Sequence, residues 1–409
     1  MAALVDYALV TGAAGATTAV ATPIVWRVAV KHGWVVEPDG HRLHAKPTPA
    51  LGGIAMWLGL CAGLLVAWSR QGFDEVFSTP TELIGVFAAA TVIFAVGLLD
   101  DVRPVSAPAK LAGVVLAGSV LTYAGVSIIV FRVPFFDLLL LSADWSALLT
   151  VVWVVAITNA VNLIDGLDGL AAGTVAIAAA TLFLYTLRLT DAGVLLEENP
   201  AAVVSVIAVG LCVGFLPHNF HPAKIFMGDS GALLLGLLMA ASTIMVGGRT
   251  AAPFSGQAFF FFAPVTIPLL ILAVPLLDTI LAFSRRTLRR RSFAQADREH
   301  LHHRLMQLGH GHRRTVVIMW SWTLLLSAFV LIPTYTGTGD AFVPIGIAAL
   351  ALLLYSIFHS RLPALVGVRG RHNDEQTTPA EVDDSGALID NDKTQSTGTS
   401  TTQSDLDPQ

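Results

Sequence analysis

The chain has 409 residues, 54% hydrophobic and 13% charged, with a net charge of −5. That charged fraction is about half of what an ordinary soluble domain carries, and a mean hydropathy of +0.69 excludes a water-soluble protein. The negative balance belongs to residues 369–409, which hold nine acids and three bases, whereas the first 368 residues hold 20 acids and 21 bases, so no nucleic-acid partner is indicated.

Apolar runs near the length needed to cross about 30 Å of hydrocarbon recur along the chain. In order they predict eleven transmembrane helices, at about 4–26, 51–69, 82–99, 109–124, 146–163, 170–187, 201–217, 231–247, 262–283, 315–333 and 341–358, an all-α polytopic membrane protein. The first cation is Arg27, so the first run reads as a permanent span rather than a cleaved signal. An odd count puts the termini on opposite sides. The loops after odd-numbered spans hold most of the Lys and Arg, nine Arg in 284–314 alone, while the alternate loops hold Arg70, Arg132, Arg188 and Arg249. The N-terminus is therefore expected outside and the C-terminus in the cytoplasm. Residues 1–368 form the expected transmembrane domain, and 369–409 are too polar to bury a core, which predicts a disordered acidic cytoplasmic tail. Cys61 and Cys212 both lie in apolar runs, which excludes a disulfide framework and a cysteine metal site.

The unusual polar residues gather at the cytoplasmic ends of these spans. Asp100 and Asp101 close span 3, where two carboxylates repel one another unless a cation compensates. Mg²⁺, a hard ion that shares phosphate ligands, suits them, and a solvated helix end is the plainer alternative. Lys110, at the start of the next span, is placed to reach back or to hold a phosphate. Asn159, Asn162, Asp165 and Asp168 recur every three residues, close to a helical stripe, with Gly166 and Gly169 allowing the backbone to turn. Such a stripe suits the polar edges of a nucleotide or sugar; helix capping by the two Asp is the alternative. Asp229 and Ser230 precede an apolar helix, whose free amides attract phosphate, and Phe226 is available to stack on a base or to bury itself at the membrane surface. His300, His302 and His303, followed by Arg304, suggest phosphate recognition rather than zinc, since no Cys is near; a merely positive-inside loop is the alternative.

In chain order the pieces are His44-x-Lys46-Pro-Thr-Pro-Ala-Leu-Gly52-Gly53, Asp100-Asp101 with Lys110, Asn159-x-x-Asn162-x-x-Asp165-Gly-x-Asp168-Gly, Phe226-Met-Gly-Asp229-Ser-Gly and His300-Leu-His302-His303. Together they resemble the polyprenyl-phosphate N-acetylhexosamine-1-phosphate transferases of bacterial envelope synthesis, across residues of about 40–305. The Asp297-Arg-Glu-His-Leu-His-His-Arg304 run looks like the branch that uses UDP-N-acetylglucosamine. Val114 departs from the family pattern, which often places Gln there, and the acidic tail lies outside it. The resemblance implies transfer of N-acetylglucosamine-1-phosphate from UDP-N-acetylglucosamine to polyprenyl phosphate, decaprenyl or undecaprenyl, with release of UMP and Mg²⁺ (alternatively Mn²⁺) as cofactor. It further implies a multi-pass protein of the bacterial plasma membrane, in contact with membrane lipid, with a cytoplasmic active site and a homodimer among its admissible assemblies. The product would begin an arabinogalactan linker, a teichoic acid or an O-antigen type polymer.

By the same resemblance Asp229 and Asp100 are the metal-side residues. Asp100 either takes the lipid phosphate's proton or acts as a nucleophile, and Asp101 supports placement, which makes Asp100, Asp101 and Asp229 the catalytic set. Lys46, Lys110 and Asn159 are further substrate-binding residues; Asn162, Asp165, Asp168 and Phe226 would hold the uridine part, and His300, His302, His303 and Arg304 the sugar and its diphosphate. The competing readings are the phospho-N-acetylmuramoyl-pentapeptide branch and an ion-coupled transporter. The absence of an internal repeat and the placement of charges at span ends count against a transporter. A serine hydrolase built on Gly228-Asp-Ser-Gly231 fails because Ser230 and His218 both sit at loops.

Overall fold

The computed structural model describes residues 2–34, 47–132, 138–195, 199–247, 273, 276, 305–306, 310–337 and 342–358, all within one compact unit. The ninth predicted span apart from residues 273 and 276, the 369–409 tail, and the predicted site residues Lys46, His300, His302, His303 and Arg304 lie outside the described residues.

Eleven α-helices are described. They are α1 (Ala2–Lys31), α2 (Gly52–Trp68), α3 (Asp74–Ser78), α4 (Thr81–Val102), α5 (Ala107–Tyr123), α6 (Ala143–Ile164), α7 (Leu170–Asp191), α8 (Ala201–Asn219), α9 (Gly228–Gly247), α10 (His312–Thr336) and α11 (Phe342–Phe358). Helices thus occupy ten of the eleven predicted segments. Seven of them are long and apolar enough to cross a membrane, eight if α2 is joined across its 93° bend to residues 71–78, while α5 and α11 are shorter. The chain is a polytopic helical membrane protein. Several helix hydroxyls are satisfied by bonding back to the preceding turn, as Thr18 does to Ala14 O at 2.8 Å and Thr323 to Met319 O at 3.0 Å.

Two features went unforeseen. Val130–Arg132 and Leu138–Leu140 pair as an antiparallel hairpin, Val130 opposite Leu140, in what reads as an ordinary outer loop. Helix α3 adds a short turn after the bend that follows α2.

Helix α9 is the axis. Its sequence is apolar on every side, as a helix surrounded by others must be, and it packs against α2, α4, α6, α7 and α8. Gly236 lets α6 approach closely, since a Cβ there would lie 2.6 Å from the Cα of Thr158. Trp153 of α6 donates to Thr243 Oγ1 of α9 at 2.9 Å. A smaller cluster of Leu167, Leu170, Leu305, Val316, Ile318 and Met319 seats the start of α10 on the turn before α7. The ends of α4, α6 and α8 and the starts of α5, α7, α9 and α10 meet on one side, and the polar residues meet there with them.

Candidate active site

Helix α4 runs three residues past the hydropathy boundary, so Asp100 and Asp101 stand on its last turn. Neighbours on a helix point about 100° apart, so these two carboxylates face different partners. Asp101 turns to α9, whose first amides have no partner inside their own helix. It accepts the N–H of Asp229 at 2.7 Å, the N–H of Ser230 at 3.0 Å and the hydroxyl of Ser230 at 2.5 Å. It is a cap delivered from another helix, and its charge matches the positive end of the α9 dipole.

Asp100 turns instead to the connection into α5 and its first turn. Its Oδ1 accepts the N–H of Val105 at 2.6 Å and its Oδ2 pairs with the Lys110 ammonium at 2.6 Å. Lys110 also pairs with Asp229 Oδ2, whose other oxygen accepts from Asn162 Nδ2 at 2.9 Å. Asp100, Asp101, Lys110, Asn162 and Asp229 thus form one cluster drawn from four helices.

The approach to Asp229 is fixed by backbone. Phe226 N–H donates to Pro49 O at 2.9 Å, Gly52 N–H to Phe226 O at 3.0 Å and Gly53 N–H to Met227 O at 2.8 Å. The Pro-Thr-Pro-Ala-Leu-Gly-Gly segment therefore acts as a splint for Phe226-Met-Gly-Asp229. Gly228 takes φ +69, a left-handed turn that favours glycine, and a Cβ there would lie 2.1 Å from Ala50 O. Gly53 and Gly97 give α2 and α4 contact with the α9 backbone, where a Cβ would lie 2.4 Å from Gly231 N and 2.5 Å from Ser230 Cα respectively.

The Asn–Asp stripe divides. Asn162 reaches Asp229, whereas Asn159 donates to Val155 O of its own helix at 2.7 Å and is not brought into the cluster. Asp165 caps the end of α6 just outside the span. Burial, then the like charges of Asp229, Asp101 and Asp168, push its carboxyl well above the usual range. Phe226 is half-buried beside the Asp229 turn. Asp168 is buried, and its Oδ2 accepts the N–H of Ala223 at 3.0 Å and meets His221 Nδ1 at 2.7 Å.

Sequence reasoning missed His221, His312 and Arg313. Asn219 Oδ1 accepts Gly169 N–H at 2.9 Å and its Nδ2 donates to Ile225 O at 3.0 Å, tying the two loops together. Asp168 N–H donates to His312 Nε2 at 3.0 Å, and Arg313 donates to His221 O at 3.2 and 3.0 Å. One signal was present: His312, Arg313 and Arg314 are basic residues at a helix N-terminus, against the helix dipole, which implies partners elsewhere.

The cluster around Asp229 is rich in carboxyl groups. Among the described residues Lys110 is the one cation bonded to Asp100 and Asp229, while Asp101 and Asp165 add two further carboxylates. The donors are all hard oxygens from carboxylate and amide, which fit Mg²⁺ or Mn²⁺ and not a soft ion. Asp168, His221 and His312 also place ligand-type atoms within 4.8 Å of one another. Within this group Asp168 Oδ2 and His312 Nε2 already accept backbone N–H groups.

An acid-rich, one-sided site at the ends of membrane helices, with a lysine and a helix N-terminus, defines a membrane enzyme class that handles phosphates. The sequence model of Glycosyl transferase family 4 matches residues 83–247, the stretch from α4 through α9. The chain is similar to the decaprenyl-phosphate N-acetylglucosaminephosphotransferase of Mycolicibacterium smegmatis, 37% identical over 86% of this chain and 88% of that one. It is 40% identical to the protein of the same name from Mycobacterium tuberculosis, over 78% of this chain and 80% of that one. A phospho-N-acetylmuramoyl-pentapeptide-transferase from Desulforudis audaxviator is more distant, at 30% identity over 80% of this chain and 98% of its own. The chain belongs to glycosyl transferase family 4, on the side of the N-acetylglucosamine-phosphate transferases.

Proposed function

We propose that the chain transfers N-acetylglucosamine-1-phosphate from UDP-N-acetylglucosamine to a polyprenyl phosphate, decaprenyl by its likeness to the mycobacterial relatives, releasing UMP. The observation that carries this reading is the convergence of Asp100, Lys110 and Asn162 on Asp229 at the capped start of α9. A lipid phosphate oxygen bonds to the β-phosphorus of the donor; the bond from that phosphorus to the bridging oxygen breaks, and its electron pair leaves with UMP. Both reactants are anions, so the site must screen repulsion and align the oxygens in line.

Asp229 and Asp100, with the Asn162 amide beside them, would hold Mg²⁺. Bound there, the ion would screen the two phosphates and stabilise the leaving oxygen. Lys110 is the cation already at hand for the incoming phosphate. Asp101 holds the N-terminal amides of α9 in place. Asn162, Asp165 and Phe226 border the uridine side, with Lys46 and the His300–Arg304 run assigned to donor phosphate and sugar. One phosphoanhydride replaces another, so the reaction is expected to reverse readily. Eleven spans with the N-terminus outside and the site in the cytoplasm complete the reading, supported by the nine Arg of 284–314.

The test uses membranes containing the protein, polyprenyl phosphate, Mg²⁺ and labelled UDP-N-acetylglucosamine. UMP release together with label entering the lipid phase, both abolished by EDTA, supports the reading. Reaction only with UDP-muramoyl-pentapeptide would move the chain to the other branch. Folded protein inert to both donors would bring the transporter reading forward.

A further inference from the structure

The turn after α6 and the loop before α9 are fastened by a group of residues that touches neither the Asp229 carboxylate nor Lys110. Asp168 Oδ2 accepts the Ala223 N–H and meets the His221 ring, so it grips residues 221–223 from both ends. The His221 ring stacks on that of His312, with centroids 4.2 Å apart and planes 20° from parallel. His312 Nε2 accepts the Asp168 N–H, which fixes the lone pair on that nitrogen and the proton on Nδ1. Arg313 closes the circuit with two donors on His221 O.

The circuit joins three segments with different tasks. Asp168 ends the stripe that begins with Asn162. His221 lies five residues before Phe226 and eight before Asp229, on a loop already splinted by Pro49 and Gly53. His312 opens α10, the helix entered directly from the Arg-rich loop, and Leu305, next to Arg304, packs with Leu167 and Leu170 on either side of Asp168. Trp320 reinforces the joint by donating to Leu170 O at 3.3 Å.

We infer that Asp168, His221, His312 and Arg313 form a hydrogen-bonded latch that fixes the Phe226–Asp229 segment against the end of the Arg-rich loop, and so sets affinity for the nucleotide-sugar donor. These are positioning residues. Asp168 in particular acts from inside the protein on the loop instead of touching the uridine. A metal clasp is the rival explanation for two His and one Asp so close together. The His312 lone pair, however, is taken by a backbone N–H, and His221 stands at hydrogen-bond distance from the carboxylate. The effect on donor affinity rests on the transferase reading above; the latch itself is tested separately.

Each ring nitrogen has a conservative stand-in. Asn places a donor near Nδ1 of His221, and Gln places an acceptor near Nε2 of His312. Purified full-length protein would be assayed for UMP release against UDP-N-acetylglucosamine concentration, with hydrogen exchange followed on the same samples. His221→Ala and His312→Ala are expected to raise KM for the donor by about tenfold or more, the scale of losing an outer-sphere support, with kcat changed by less than about threefold. His221→Asn and His312→Gln should recover most of the loss. Exchange should quicken at the Asp168 and Ala223 amides in the Ala variants and not along the middle of α9. Ala variants with wild-type KM, or stand-ins that fail to rescue while exchange stays slow, would overturn the latch. So would one equivalent of a transition metal in the wild-type protein that both His variants lose, because a metal clasp would then hold the loops. If the wild type releases no UMP from this donor, the transferase reading fails, and the exchange data alone decide whether the latch exists.

Discussion

Asp168 and Asp229 sit at the same end of the helix bundle and are put to opposite uses. The Asp168 side chain is 1% exposed and its partners include a backbone N–H, so its carboxylate cannot shift without moving a loop. The Asp229 side chain is 25% exposed and is held by the side chains of Lys110 and Asn162. An ammonium on a flexible stem can be drawn away by a phosphate or displaced by a cation, and a backbone amide cannot. The surroundings of a carboxylate, not its place in a motif, separate shaping from chemistry.

The sharpest way to break this comparison is to make the same change at both positions. Asp229→Asn should cut UMP release by more than about 100-fold, the scale of removing a principal electrostatic group, while leaving the thermal midpoint near wild type. Asp168→Asn should do the reverse, lowering the midpoint because a neutral amide oxygen accepts more weakly from Ala223 and His221 than the charged carboxylate oxygen does, and leaving kcat near wild type. If both variants lose kcat alike, the two carboxylates do not differ as described.

Steric and capping changes test the frame that holds Asp229. Gly53→Ala forces a Cβ to 2.4 Å from Gly231 N and 2.6 Å from Ser230 C, backbone atoms that cannot swing aside. It should cost about 3 kcal/mol, the upper range for overpacking, read as a lower midpoint in detergent. Gly12→Ala, with nothing within 4 Å, is the control and should show no such loss. Asp101→Ala should cost about 2 kcal/mol, the upper value for a lost helix cap, and should slow transfer as well, because Asp229 moves with the α9 terminus.

The extent of the helices was legible because hydropathy is a local property and apolar runs declare themselves. The helix ends were less so. Hydropathy stops counting at the first charges, yet the α4 backbone continues through Asp100 and Asp101 and α9 begins at Gly228, so capping of one helix by another was invisible. Asn159 and Asn162 looked equivalent on one stripe; which of them meets Asp229 depends on how α6 packs on α9, a fact of tertiary structure. The His221 and His312 pairings with Asp168 span 53 and 144 residues, beyond any periodicity or spacing rule.

The smallest expected effect concerns Asp165, which feels the charge of both carboxylates compared above. Burial, then the charges of Asp229, Asp101 and Asp168, raise its folded-state pKa. A raised acid binds more protons folded than unfolded, so stability falls as pH rises from the unfolded value through the folded one, and is greatest below both. Thermal midpoints in detergent should therefore decline across that window without divalent cation. Asp165→Asn removes the titration and should flatten the decline, with a higher midpoint at neutral pH. Mg²⁺ bound at Asp229 and Asp100 should flatten it too, because a nearby dication offsets part of the repulsion. If Mg²⁺ changes the slope equally in wild type and Asp165→Asn, the ion is not felt at Asp165, and the repulsion among these acids is relieved by some other group.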